Sequence, residues 1–152
     1  MKTSGTTIIF SSHLPAFAYR LSTHLIFLEE GRRVPGRENI FKGAVESTDD
    51  RFAYFRTGTQ VLHCPAQEGR FTTAVLPFDD VILSKARIYT SAQNQFLGTV
   101  EKVDKIDHMA RVSLDCGFPV QALITEYSVD TLKVVPGGRF YVTFKASAIR
   151  LY

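Results

Sequence analysis

Ser91-Ala-Gln-Asn-Gln-Phe-Leu-Gly98 and Phe144-Lys-Ala-Ser-Ala-Ile149 stand at the start and end of one strand-rich stretch, and their chemistry is complementary. Ser91 and Asn94 come just before a strand, whereas Lys145 and Ser147 flank a strand change near the chain end. If a barrel closes between them, these donors converge. A small tetrahedral oxyanion is stripped of strong hydration only where several preplaced hydroxyls, amides, backbone N–H groups and a cation replace its water. Ser91, Gln93, Asn94, Lys145, Ala146 and Ser147 are the candidate set, with Lys145 carrying the formal charge.

Working outward, the chain repeats itself. Asn39-Ile-Phe-Lys-Gly-Ala-Val-Glu46 and Asn94-Gln-Phe-Leu-Gly-Thr-Val-Glu101 share Asn-x-Phe-x-Gly-x-Val-Glu at an offset of 55 residues (94 minus 39). Phe71 to Leu83 aligns more weakly with Phe140 to Leu151, which sets Leu76-Pro-Phe78 against Lys145-Ala-Ser147 and gives the first repeat no second donor set. Two related β-units are implied. In the second unit, short strands are expected over 96–103, 109–114, 119–124, 140–145 and 148–151, the number an OB-like barrel needs. Thr125 to Leu132 reads as one or two helical turns capped by Thr125. Gly43 and Gly98, inside strands, mark bulges or sharp bends.

The pattern Ser-Ala-x-Asn-x-(apolar)-x-Gly, followed about fifty residues later by (apolar)-Lys-Ala-Ser, resembles the Mop/TOBE domain, an OB-like module that binds molybdate or tungstate. The resemblance covers roughly residues 88 to 152. That family usually has Arg or Lys between the Ser-Ala and the Asn; here the position is Gln93, one cation fewer. The resemblance implies a site shared between two subunits, hence a homodimer with molybdate or tungstate as ligand and no other cofactor.

The N-terminal segment carries a second resemblance. Thr6-Thr-Ile-Ile-Phe10 suits a strand, and Leu14, Phe17, Ala18 and Leu21 fall at helical spacing, with Ser12 available as a cap and Pro15 in the first turn. Leu25-Ile-Phe-Leu28 suits a second strand, and Glu29-Glu-Gly-Arg32 its turn. Strand, histidine, helix, strand and Leu-Glu-Glu-Gly-Arg hairpin resemble the closing segment of an ABC-transporter ATPase, with His13 as a vestigial switch histidine. The phosphate-cradling Gly-x-x-x-x-Gly-Lys-Ser/Thr loop, the strand ending in a metal-binding Asp and the Ser-Gly-Gly signature have no counterpart, so no enzyme is expected on this chain. Residues 1–38 are therefore read as an ATPase remnant, 39–90 as a first TOBE-like β-unit, and 91–152 as the oxyanion-binding domain. The fold class is mainly β, an OB-like TOBE/Mop barrel of two related β-units preceded by a short β-α-β tail.

Composition fits a folded chain. Of 152 residues 45% are apolar and 12% aromatic, enough for a core, and the net charge of +3 is spread without a basic run. The aromatics fall at strand-like spacing and read as core, so nucleic acid is not an expected partner. Cys64 and Cys116, with His63 and His108, lack zinc-ligand spacing. Asp49-Asp50 and Asp79-Asp80 lie where turns are expected and read as solvated or capping. With no apolar run near the ~20 residues a span requires and no signal-peptide core, the expected location is cytoplasmic, peripheral at the inner face of the membrane if importer permease subunits are partners. The alternatives are a structural dimerisation domain that has lost its ligand, and an OB-like nucleic-acid-binding module.

Overall fold

The computed structural model describes residue 5, residues 7–22 and residues 24–152. Met1 to Ser4, Thr6 and Thr23 lie outside the described residues, and with them parts of the expected first strand and helix. A helix, α1 (Pro15–Leu21), is followed by a hairpin of β1 (Phe27–Glu29) and β2 (Arg32–Val34). Its two-residue turn, Glu30 at φ 49° and Gly31 at φ 76°, has the paired positive φ of a turn that matches strand twist.

The first β-unit holds β3 (Glu38–Lys42), β4 (Ala44–Thr48), β5 (Phe52–Thr57), β6 (Gln60–Pro65), β7 (Thr73–Pro77), a 3-10 turn at Phe78–Asp80, and β8 (Ile82–Ser84). In the second unit come β9 (Asn94–Ile106), β10 (Met109–Asp115), β11 (Pro119–Thr125), α2 (Glu126–Leu132), β12 (Arg139–Phe144), a 3-10 turn at Ala146–Ala148, and β13 (Arg150–Leu151). The Thr125 hydroxyl accepts the Ser128 N–H at 3.1 Å and so caps α2, as expected.

The repeat is structural as well as sequential. Pairing shifts register at Glu46 in β4 and at Glu101 in β9, so the last residue of each copy of the motif is a bulge. The central glycines permit close backbone approach: a Cβ on Gly43 would lie 1.9 Å from the Arg56 carbonyl oxygen, and one on Gly98 2.5 Å from Cys116 Sγ.

The two units, 39–90 and 91–152, exchange their last strands. The second unit's sheet runs β11-β10-β9-β12-β8, and its outer strand β8 belongs to the first repeat. Reciprocally, β13 from the second repeat pairs with β7, in the order β13-β7-β3, while β4-β5-β6 completes the first unit. The core is accordingly continuous, with Phe55, Leu62 and Leu76 of one repeat and Val112, Leu114 and Phe144 of the other all buried. Each large apolar side chain so buried contributes roughly 1.5–3 kcal/mol.

The exchange also corrects the weaker half of the repeat alignment. Both 3-10 turns close with the same bond, Val81 N–H to Phe78 and Ile149 N–H to Ala146. Pro77-Phe78-Asp79, not Leu76-Pro-Phe78, therefore corresponds to Lys145-Ala-Ser147. α2 occupies a connection that the first unit fills with a plain loop at 66–72, so the offset there is 68 residues (145 minus 77).

The N-terminal expectations need two corrections. Residues 7–10 form no strand, and Ile8 and Ile9 are 80% and 92% exposed, because no neighbouring strand offers them a ladder. α1 forms with Pro15 in its first turn, yet Ser12 makes no cap to it, and the expected apolar face of Leu14, Phe17 and Leu21 points outward. Its buried residue is Tyr19. The Tyr19 hydroxyl donates to Glu38, which also pairs with Arg150, and its ring lies 5.2 Å from that of Tyr152. Lys42 Nζ and Thr73 Oγ1 donate to the Tyr19 carbonyl at 2.7 and 3.1 Å.

Burial, then the carboxylate of Glu38, raises the Tyr19 phenol above its ordinary range. A group whose pKa rises on folding contributes fully below its unfolded value and loses that contribution above it. We therefore expect α1 to detach as pH climbs beyond about 10. Phenolate absorbance should show a late-titrating step coincident with increased proteolysis near Arg20, and Tyr19→Phe should abolish that step while leaving that of Tyr54, whose phenol the hydrogen bond to Asp49 also holds up.

Candidate functional site

The two segments that open the sequence analysis meet. Asn94, first residue of β9, is the register partner of Phe144, last residue of β12, so 91–93 and 145–147 leave the same end of one strand pair. Lys145 precedes the 3-10 turn at φ −73°, ψ 145°, and the turn's first N–H groups, at Ala146 and Ser147, have no partner within it. In the first unit the matching amide is occupied, since Phe78 N–H donates to the Arg37 carbonyl at 3.0 Å. Ser91, Gln93, Lys145 and Ser147 are exposed; Ala146 and Asn94 are buried. Among the described residues, no ion pair engages the Lys145 ammonium and no hydrogen bond engages the Ser91 or Ser147 hydroxyls.

Asn94 also has a structural task. Its side chain is committed to the backbone of His63: the His63 N–H donates to Oδ1 at 2.8 Å, and Nδ2 donates to the His63 carbonyl at 2.8 Å. The oxygen and one N–H of the amide are used on that backbone, which positions the segment, and the second amide N–H is not spent there. Asn39, 55 residues earlier, repeats the clasp in the other direction, with Gln121 N–H to Oδ1 at 2.7 Å and Nδ2 to the Gln121 carbonyl at 2.9 Å. Each unit thus grips an outer strand of the other, β6 or β11.

His63 is the neighbour that sequence reasoning missed. Its Nδ1 lies 3.3 Å from the Gln93 carbonyl oxygen, and its ring packs against Phe52 and Tyr54 at 5.4 and 5.2 Å. No spacing rule reveals it, because 30 residues and a unit boundary separate it from Gln93. Asp49 supports this corner as a turn cap, accepting the Tyr54 hydroxyl and the N–H groups of Phe52 and Arg51 at 2.7–2.8 Å. These bonds, the tyrosine's foremost, hold its carboxyl below the usual range. Gln93 turns its amide back onto the Ser91 carbonyl at 3.3 Å. Lys145 is the formal cation of the two segments.

Cys64 and Cys116 are core residues; burial pushes both thiols up to about 12, which makes them poor nucleophiles. His13 is exposed on the irregular segment before α1.

The sequence profile of the TOBE domain matches residues 90–151. These residues are a TOBE domain. The matched span contains both donor segments. The whole chain is 32% identical over 127 residues to the molybdate/tungstate import ATP-binding protein WtpC of Pyrococcus abyssi, covering 82% of this chain and 36% of the relative. It is 28% identical to the molybdenum import ATP-binding protein ModC 1 of Azotobacter vinelandii, covering 93% of this chain and 47% of the relative. The chain thus spans between a third and a half of the length of the curated relatives it matches. Among solved structures, the molybdate-bound form of the cytoplasmic molybdate-binding protein ModG matches 74% of this chain and 94% of its own, with a TM-score of 0.64 at 23% identity. That likeness is one of fold. No helix among the described residues is long and apolar enough to cross a membrane.

Asn94→Ala leaves the His63 N–H and carbonyl of a buried clasp without partners, at about 3 kcal/mol. We expect the unfolding free energy from urea denaturation to fall by that amount, with Asn39→Ala matching it within about 1 kcal/mol.

Proposed function

We propose that this chain binds a tetrahedral oxyanion of the molybdate or tungstate class at the end of the β9–β12 pair, as the regulatory domain of an ABC importer's ATP-binding subunit. The observation that carries the reading is the Asn94–Phe144 pairing, which brings Ser91 and Gln93 to Lys145 and Ser147. Lys145 supplies charge, Ser91 and Ser147 hydroxyls, and the 3-10 turn the N–H groups of Ala146 and Ser147. A doubly charged guest in such a cradle gains charge-assisted hydrogen bonds, each stronger than its neutral counterpart. The Asn94–His63 clasp fixes the position of the cradle, and the second amide N–H of Asn94 stays available to the guest.

The donors face outward, so one chain covers only one side of a guest that must lose its water. A second copy supplies the missing wall, and a homodimer with the oxyanion at its interface follows. A ligand shared by two copies shifts them toward the arrangement that holds it, by no more than its difference in affinity between arrangements. That gives the domain a sensing role beside the permease at the cytoplasmic face of the membrane, with no chemistry of its own. The names of the WtpC and ModC 1 relatives support this setting.

Calorimetric titration with molybdate, tungstate and sulfate tests the proposal. Binding of molybdate or tungstate should weaken by about tenfold or more in Lys145→Ala, the loss expected for one charged hydrogen-bond partner. Sedimentation should show the ligand favouring a dimer. A chain that dimerises equally with and without either oxyanion, and releases no heat with them, is a structural dimerisation domain instead.

A further inference from the structure

A second electropositive feature shares no residue with that cradle. A cavity of about 460 Å³ opens between the β1–β2 hairpin and β10. Arg33 of β2 and Arg111 of β10 both line it, beside the apolar surfaces of Leu25, Phe27, Val34 and Pro35, and no carboxylate does. Among the described residues neither guanidinium has an ion-pair partner. Asp104, the register partner of Arg111 on β9, gives its carboxylate to Lys102 at 2.7 Å. The residues outside the description, Met1 to Ser4, Thr6 and Thr23, include no acid that could neutralise the pair.

The barrel does not demand an arginine at this point. Arg111 precedes Val112, which pairs with Val103; the matching pair in the first unit is Ala53 with Thr48, so Phe52 is the counterpart of Arg111. Phe52 packs on Tyr54 and His63, an apolar solution to the same position. Two like charges lining one open cavity repel each other, and a bound anion relieves that repulsion.

We infer that this cavity is a second anion site, specific for a small organic anion: a carboxylate or phosphate monoester on an apolar or aromatic body. Planar guanidinium groups match the paired oxygens of such anions bidentately. The volume falls within the range of small-molecule pockets, about 300–1,000 Å³, and leaves room beside the anionic group for a ring against Phe27 and Val34. The site stands independently of the oxyanion proposal.

Titration of the full chain with phenyl phosphate, benzoate and inorganic phosphate, read by calorimetry and by Arg side-chain NMR shifts, tests it. The expected result is saturable binding of at least one aromatic anion, tighter than that of inorganic phosphate, weakened about tenfold in Arg33→Gln and unchanged in Lys145→Ala. Arg111→Phe, which installs the first unit's own residue, should weaken it likewise. If that variant fails to fold, the exposed Arg33 decides alone. The inference is overturned if neither aromatic anion saturates, if Arg33→Gln binds as the wild type does, or if Lys145→Ala abolishes the binding.

Discussion

Two buried asparagines hold the architecture together. β6 and β11 are the outer strands of their sheets, and an outer strand presents N–H and carbonyl groups that nothing in its own sheet satisfies. Asn94 bonds both groups of His63 on β6, and Asn39 bonds both groups of Gln121 on β11. A side-chain amide is well suited to this, because one carboxamide carries a donor and an acceptor at the spacing of a backbone pair. At the opposite edges the units trade β8 and β13. Neither repeat closes without the other, so the chain folds as one interlocked body although its sequence reads as two.

The same clasp sets up the candidate site. Holding Asn94 against His63 fixes where the chain enters β9, and the Asn94–Phe144 pairing then fixes where it leaves β12. The donors on either side are drawn together by the barrel's own hydrogen bonding. The first repeat reaches the same geometry with different chemistry: Pro77, Phe78 and Asp79 stand where Lys145, Ala146 and Ser147 do, and the matching turn amide is already bonded to Arg37. One backbone plan thus gives a donor-rich corner in one copy and an occupied corner in the other. The asymmetry lies in side chains, and the second repeat is the one the TOBE profile matches.

The N-terminal segment follows another logic. Its helical spacing was legible, and α1 forms where Pro15 and the apolar period place it, but periodicity reveals only that a face exists. What the face meets depends on neighbours. Here a polar-tipped aromatic, Tyr19, is buried between Glu38 and Tyr152, and the leucines and Phe17 remain outside. A strand at residues 7–10 was equally legible from β-branched residues and equally dependent on a partner strand that these residues lack.

The sequence by itself determined the local and repeated features: the Asn-x-Phe-x-Gly-x-Val-Glu motif, the short strands, the Thr125 cap, the turn at Glu30-Gly31, and the two donor segments from Ser91 and Lys145. These depend on contacts a few residues apart or on a pattern present twice, and both survive in one dimension. The tertiary structure alone decided that β8 and β13 change places, that Asn94 grips the backbone of His63, that His63 joins the corner, and that Arg33 and Arg111 share a cavity. Each of these joins groups 30 (93 minus 63) to 78 (111 minus 33) residues apart. No local spacing encodes such a meeting, because it arises only when unsatisfied strand edges find their partners in the closed barrel.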